Sequence, residues 1–262
     1  MGYHEGMNLS PDTRAILERV EHLTGKPAEL VVQPDLPALA KVTAARGSIP
    51  AHIITYRPNA PGVDYHIAYQ CGFVIRLYET PPEARFGFAD TELGRTEVRK
   101  LLSGPNGTLK KYNLPEAAER EVNGQVLGGL MTQLRSVPIG MQIDAWLWED
   151  HPGLRAAQSQ SLAAQQATNA LALAPNIRGM MPSTLFAANA AMNAAYALFT
   201  DRLLATQLYS IPYRAIGIID RGQALLDVWD RSPVDAAHDR GLVDAWGDDL
   251  GLSDWYQWVP IG

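Results

Sequence analysis

Hydrophobic positions are densest between Ile67 and Ile75, where a single strongly polar side chain, Gln70, interrupts an apolar run. A helix that is apolar on nearly all sides belongs in the interior of a protein. A buried amide without a partner costs about 1–3 kcal/mol. We therefore expect this stretch to form a buried central helix in which Gln70 has hydrogen-bonding partners.

Strand and helix signals precede this central helix. A first helix is predicted to begin at Ser10-Pro11 and to end at Gly25. Short strands are expected in "AELVVQPDL", in "LAKVTAARG" and from Ala51 to Tyr56. Asp64 is expected to cap the central helix, and Pro81-Pro82 is expected to stop it. These strands make a small sheet plausible beside the central helix.

Helical periodicity dominates the rest of the chain. Helices are predicted from Thr91 to Leu102 and from Pro115 to about Leu134. An Ala- and Gln-rich helix ends before Pro175, and an Ala-rich helix follows Ser183. A last helix is expected between Ser232-Pro233 and Gly247, and no strand is predicted beyond Tyr56.

These elements predict an α+β fold in which a small sheet packs on the buried central helix. We expect two units: a mixed domain over residues 1–136, and an all-α C-terminal extension over residues 137–262 packed against it. A chain of 262 residues can bury a core without disulfides or metal staples.

Charge and cysteine content exclude several classes of protein. The net charge is -6, and Lys and Arg form no cluster along the chain, which argues against the phosphate-binding surface of a nucleic-acid binder. The single cysteine, Cys71, excludes an internal disulfide. Neither a signal peptide nor a membrane-spanning run is visible. We expect a soluble, cytoplasmic protein without nucleic-acid or membrane partners.

Two stretches resemble the ImmA/IrrE-type zinc metallopeptidases. The segment "IAYQCGFVIRL" is similar to the family's helix that carries HExxH, and "EREVNGQVLGGLMT" is similar to its later helix that carries the third metal ligand. Matched in this way, Tyr69 and Phe73 stand at the two histidine positions, Gln70 at the glutamate position and Glu121 at the third ligand position. The resemblance covers roughly residues 10 to 140 and implies a zincin-like fold.

The substituted positions cannot perform the family's chemistry. Phe73 has no lone pair, Tyr69 is a poor ligand and Gln70 cannot act as a general base. We therefore expect no metal, no cofactor and no catalytic residue here, with Gln70 bonded to Tyr69 or Glu121. The leading hypothesis is a catalytically inactive, metallopeptidase-like protein that acts as a regulatory module. Because active members of the family cut regulators such as repressors, the resemblance implies a protein partner.

Two alternatives stay open. One is a hydrolase or metallopeptidase with displaced catalytic or metal-binding residues, drawn from His52, His66, Glu119 and Glu121. It requires several polar groups to converge in a cleft near Gln70, whereas an inactive descendant should have that space filled by Tyr69 and Phe73.

The other alternative is a helical scaffold that assembles as a homo-oligomer through its Ala-rich helices. A sheet packed on the central helix would speak against it. The C-terminal aromatic side chains either close over the core or form a binding surface, and we favour closure. They are Trp255, Tyr256 and Trp258.

Overall fold

A computed structural model describes residues 9–261, and residues 1–8 and 262, the outer ends of the two expected units, lie outside the described residues. The strands are β1 (Ala28–Val32), β2 (Ala40–Thr43), β3 (His52–Tyr56), β4 (Phe86–Asp90) and β5 (Tyr256–Pro260). The helices are α1 (Pro11–Thr24), α2 (Val63–Glu79), α3 (Glu92–Ser103), α4 (Glu116–Asp150), α5 (Arg155–Leu171), α6 (Pro175–Arg178), α7 (Ser183–Leu203), α8 (Ile211–Ala215), α9 (Ile219–Arg231) and α10 (Asp239–Leu250). This composition confirms the α+β class.

The first three strands form one mixed sheet in the order β1-β3-β2. β1 runs parallel to β3, with Ala28 opposite His52, and β2 runs antiparallel to β3, with Ala40 opposite Tyr56. The sheet packs on α2 through β2 and β3. The expected sheet beside a buried central helix is therefore present, which speaks against the scaffold alternative.

The ends of α1 confirm the capping prediction. The Ser10 hydroxyl accepts a hydrogen bond from the Thr13 amide, and Gly25 ends the helix in the left-handed region at φ 68°. The capping prediction for α2 is wrong, because Gly62 occupies the N-cap position. The Asp64 carboxylate instead accepts a hydrogen bond from the Ser10 amide at 3.2 Å. Asp64 therefore joins the start of α1 to the start of α2.

Helix α4 is much longer than the sequence predicted. It continues through Pro138 instead of ending near Leu134, and the expected boundary after residue 136 falls inside it. A proline inside a helix costs about 3 kcal/mol. Leu134, Ile139 and Leu147, on both sides of the proline, are buried in one hydrophobic core. Burial of these side chains offsets that cost, at about 1.5–3 kcal/mol for each fully buried residue.

The expectation of an all-α extension is wrong at its C-terminal end. Strand β5 pairs antiparallel with β4, which places Trp258 opposite Phe88. The rings of Phe88 and Tyr256 stack with centroids 4.5 Å apart. The aromatic side chains at the C-terminal end therefore complete a second, two-stranded sheet. Within residues 9–261, no helix has both the length and the apolarity needed to cross a bilayer.

Candidate functional site: a polar cleft beside the central helix

The N-terminal turn of α2 is anchored against α5. Gly62 has a left-handed backbone, with φ 71°. A Cβ atom at this position would lie 2.8 Å from the carbonyl oxygen of Ala157 and 2.5 Å from the Ser161 hydroxyl. Backbone conformation and close approach both require glycine here. The contact fixes the direction of α2 relative to α5.

A cleft of about 910 Å³ lies where α2, α4, α5, α7 and the chain entering β2 meet. Arg57 is the one charged side chain among the lining residues, since His66, which also lines the cleft, is neutral: burial lowers its pKa to about 4. Hydroxyl groups of Ser and Thr line the cleft together with several side-chain amides. The amides belong to Gln70, Gln133, Gln165, Asn169, Asn189 and Asn193.

Three of these amides form a closed ring of hydrogen bonds between α4 and α7. Asn189 donates to Gln133 at 2.7 Å, Gln133 donates to Asn193 at 2.8 Å, and Asn193 donates to Asn189 at 3.2 Å. A primary amide has two N–H donors and two acceptor lone pairs. The ring therefore holds the side chains in place and leaves further donors and acceptors for a ligand.

A buried carboxyl group lies beneath this part of the cleft. Asp144 accepts hydrogen bonds from the hydroxyls of Tyr65 at 2.7 Å and Tyr196 at 3.1 Å, and from the Gln158 amide at 3.2 Å. Burial raises the pKa of Asp144 to about 7, although all three donors oppose the shift. Because Asp144 has no exposed surface, it positions the two tyrosines that line the cleft and does not itself face a ligand.

Tyr69 and Phe73 pack against each other on α2. Their rings meet edge to face with centroids 5.3 Å apart. A Cβ atom at Gly140 would overlap the Tyr69 hydroxyl, so a larger residue on α4 would displace this side chain. Burial, reinforced by the nearby Asp144, raises the pKa of Tyr69 well above its ordinary value. Tyr69 is therefore a neutral phenol at physiological pH.

Gln70 is half-buried at the edge of the cleft, and its partner differs from the expected one. Its amide donates to the carbonyl of Ala40 at 3.4 Å, and neither Tyr69 nor Glu121 takes part. Glu121 is exposed on α4 and accepts a hydrogen bond from Gln125 at 3.1 Å. The sequence match had placed Gln70 and Glu121 in one site, but the fold separates them.

The displaced-site candidates do not converge. His52 is fully buried at the sheet, where its ring accepts from the Ala45 amide at 3.0 Å and bonds the Thr24 hydroxyl at 3.0 Å. His66 bonds the carbonyl of Pro61 at 3.1 Å. Glu119 does not line the cleft, and neither does His52 or Glu121. Of the four candidates, only His66 reaches it.

A zinc ion does not fit the residues of this site. Tyr69 is a neutral phenol, Phe73 has no donor atom and Gln70 already bonds a backbone carbonyl. Within residues 9–261, no group of three or more His, Cys, Asp or Glu side chains is arranged to hold a metal ion. Cys71 is buried as expected, and burial raises the pKa of its thiol to about 12. The groups that face the cleft therefore support hydrogen bonding and not metal-assisted hydrolysis.

Sequence reasoning identified Tyr69, Gln70 and His66 as site residues but missed the amide ring and Asp144. A signal for Asp144 was present, because it stands within "MQIDAWLW", where a buried carboxyl group needs partners. The expectation that Tyr69 and Phe73 fill this space is wrong, since an open cleft lies beside Tyr69 and Gln70. Polar groups converge there, as the alternative with displaced residues requires, but of its four candidate residues only His66 is among them.

Comparisons with profiles of protein families, with curated proteins and with solved structures gave no match. The resemblance to the ImmA/IrrE-type peptidases therefore stays a prediction from the sequence.

Proposed function

We propose that this protein is a catalytically inactive, zincin-like module that binds a segment of a partner protein in the polar cleft, as a regulatory interaction. The observation that carries the proposal is the lining of the cleft beside α2. Side-chain amides, hydroxyls and tyrosines line this cleft, and of the four positions matched to the family's metal site, Tyr69 and Gln70 reach it.

The chemistry of the lining favours a polypeptide in extended conformation. Peptide groups are uncharged and present one donor and one acceptor each, which amide side chains such as Asn189 and Asn193 can bond simultaneously. A largely uncharged lining does not favour a highly charged ligand, because such a ligand would lose its hydration without opposite charges to replace it. The cleft is long enough to contact four helices, so several consecutive residues of a partner fit.

The free edge of the sheet supports the same mode of binding. The Arg57 amide donates to the Leu39 carbonyl at 3.0 Å across the pair of β2 and β3. Neighbouring positions in an antiparallel pair alternate in direction, so the backbone groups of Ala40 and Val42 point to the free edge. Ala40 lines the cleft, and a peptide strand can add to such an edge.

Arg57 offers the cleft a buried hydrogen-bond donor that can select among ligands. Its Nε is buried without a hydrogen-bond partner among the described residues. Leaving a buried donor unpaired costs about 1–3 kcal/mol. We expect a carbonyl or carboxylate oxygen of the bound segment to accept this hydrogen bond.

The proposal can be tested with a displayed library of random peptides selected on the full chain, followed by affinity measurements on synthetic peptides. Gln133→Ala should weaken binding about tenfold, because it opens the hydrogen-bonded ring that holds Asn189 and Asn193 in place. Gln125→Ala is the matched control, because Gln125 is the same residue type on the same helix and bonds exposed Glu121.

Two results would contradict the proposal. One is a set of selected peptides whose affinities are the same for the wild type, for Gln133→Ala and for Arg57→Ala. The other is stoichiometric zinc that survives dialysis into metal-free buffer, measured by elemental mass spectrometry, which would instead support the hydrolase with displaced residues.

A further inference from the structure

A second, smaller pocket of about 80 Å³ lies at the C-terminal half of α2, apart from the residues that line the cleft. Arginines from four separate parts of the chain line it together with a single carboxylate. The arginines are Arg76, Arg85, Arg135 and Arg240, and the carboxylate is Asp239. In a chain of net charge -6, this is a local excess of positive charge.

Asp239 neutralises only one of these arginines. Arg76 Nε lies 2.9 Å from Asp239 Oδ2, and Arg76 Nη2 lies 2.5 Å from Oδ1. The two side chains are 12% and 17% exposed, so this pair is well shielded from solvent. It joins α2 to α10, and among the described residues Asp239 makes hydrogen bonds to no other arginine of the pocket.

Arg85 and Arg135 have no carboxylate partner within residues 9–261. Arg85 donates to the carbonyls of Thr80 at 2.9 Å and Tyr78 at 3.1 Å, and it lies 4.4 Å above the Tyr78 ring. These contacts orient the guanidinium without neutralising it. Arg135 makes no hydrogen bond with a described residue. Although Arg135 is exposed, desolvation and the nearby positive charge of Arg46 lower its pKa, and the negative charge of Asp239 opposes this shift.

Arg240 completes the pocket at an aromatic rim. Its guanidinium lies 4.6 Å from the centre of the Phe86 ring and 5.8 Å from that of Trp258. Its Nε is 3.7 Å from Asp244, a contact that is too long for a hydrogen bond. Trp258 also bonds Asp244 at 2.7 Å, which keeps the carboxylate turned toward β5.

We propose that this pocket binds a phosphate group. Among residues 9–261, Arg85 and Arg135 form no ion pair with a carboxylate, and a phosphate monoester carries a charge of about −1.5 to −2 at neutral pH. The planar fork of each guanidinium matches the spacing of phosphate oxygens. The pocket volume of about 80 Å³ has room for a small polyatomic ion. The ligand is either free phosphate or a phosphoryl group on a larger molecule.

The charge pattern of the sequence did not predict this site, because its arginines are far apart along the chain. Arg76 lies on α2, Arg135 on α4 and Arg240 on α10, and Arg85 lies between α2 and β4. The expected absence of a phosphate-binding surface was inferred from clustering along the sequence. The fold assembles the cluster instead.

Isothermal titration calorimetry with inorganic phosphate tests the proposal, using the full chain and a potassium chloride titration of equal ionic strength as blank. Arg135→Gln should raise the Kd for phosphate about tenfold, which corresponds to about 1.4 kcal/mol. Arg120→Gln is the matched control, because Arg120 lies on the same helix, is exposed and pairs with Glu116. It changes net charge by the same amount and should leave the Kd unchanged.

Parallel titrations with O-phosphoserine and with glutamate distinguish the sources. Binding of O-phosphoserine as well as phosphate indicates a phosphoryl group on a larger molecule, and binding of inorganic phosphate alone indicates the free ion. Arg240→Gln provides a second variant if Arg135→Gln loses its fold by circular dichroism. Equal responses to phosphate and glutamate, no response to phosphate, or equal Kd values for the pocket variant and Arg120→Gln would overturn the proposal.

Discussion

The central helix α2 contributes to two depressions with opposite chemistry. Tyr69 and Gln70 line a large cleft whose polar groups are almost all uncharged, whereas Arg76 lines a small pocket rich in arginine. Uncharged groups select a ligand by the directions of hydrogen bonds, and charged groups select it by electrostatic attraction. One apolar helix thus lines both proposed binding sites, because its half-buried side chains contact different neighbours along its length.

The largest expected effect concerns the floor of the cleft. Asp144→Ala should lower the free energy of unfolding by about 3 kcal/mol, because the buried hydroxyls of Tyr65 and Tyr196 lose their acceptor. Urea denaturation followed by circular dichroism measures this change. Asp144→Asn retains one acceptor oxygen and should cost less. A loss below about 0.5 kcal/mol for the alanine variant would show that the carboxyl group does not hold the two tyrosines.

The shielded ion pair in the arginine pocket should contribute more to stability than an exposed ion pair on the protein surface. Arg76→Gln should destabilise the fold by about 2–3 kcal/mol, because Asp239 would be left shielded without its partner. Arg19→Gln is the comparison, since Arg19 and Glu79 are 48% and 39% exposed. It should cost less than about 1 kcal/mol. Equal midpoints of urea denaturation for the two variants would remove the distinction.

Acidification should change the stability contributions of His66 and Asp144, two residues near the cleft, in opposite directions. The pKa of His66 falls from 6.5 to about 4, so its contribution to stability declines as pH falls between these values. The pKa of Asp144 rises from 3.8 to about 7, so its contribution declines as pH rises across that window. Asp144→Asn should therefore lose about 1–2 kcal/mol on acidification from about pH 6.5 to 4.

The His66→Gln variant, measured over a similar pH range, isolates the contribution of Asp144. His66→Gln should lose stability when pH rises from about 4 to 7, because Asp144 then titrates without the opposing contribution of His66. Thermal unfolding of both variants at matched ionic strength records the two slopes. Slopes of the same sign would show that one of the two residues does not titrate as its burial indicates.

The smallest expected effect is the response of ligand binding to salt. Raising potassium chloride from about 0.05 to about 0.5 M should weaken phosphate binding at the arginine pocket severalfold, because the added ions screen the charges. Peptide binding in the cleft should change less than twofold, since it depends on neutral hydrogen bonds. Equal salt responses at the two sites would contradict the contrast between them.

Local sequence signals predicted the first part of the fold well. Ser10 and Gly25 mark both ends of α1 by their own side-chain and backbone properties. Three strands before α2 were also confirmed, because short apolar stretches between turn residues are local patterns. These predictions needed no knowledge of distant partners.

The predictions that failed depended on tertiary contacts. Pro138 would end an isolated helix, but burial of the apolar residues on both sides of it extends α4. Strand β4 has no distinctive pattern of its own and forms by pairing with β5. Gln70 required a partner, as its position predicted, but only the fold decides that the partner is Ala40.

The pairing of β4 with β5 has a consequence for synthesis of the chain. Phe86 pairs with Pro260, so β4 cannot pair until β5, more than 160 residues later in the chain, has left the ribosome. The sheet of β1, β2 and β3 can close early, since Ala28 pairs with His52. Contacts between distant segments form slowly and leave edges exposed meanwhile. The arginine pocket, which includes Trp258 of β5, is therefore among the last features of the molecule to be completed during translation.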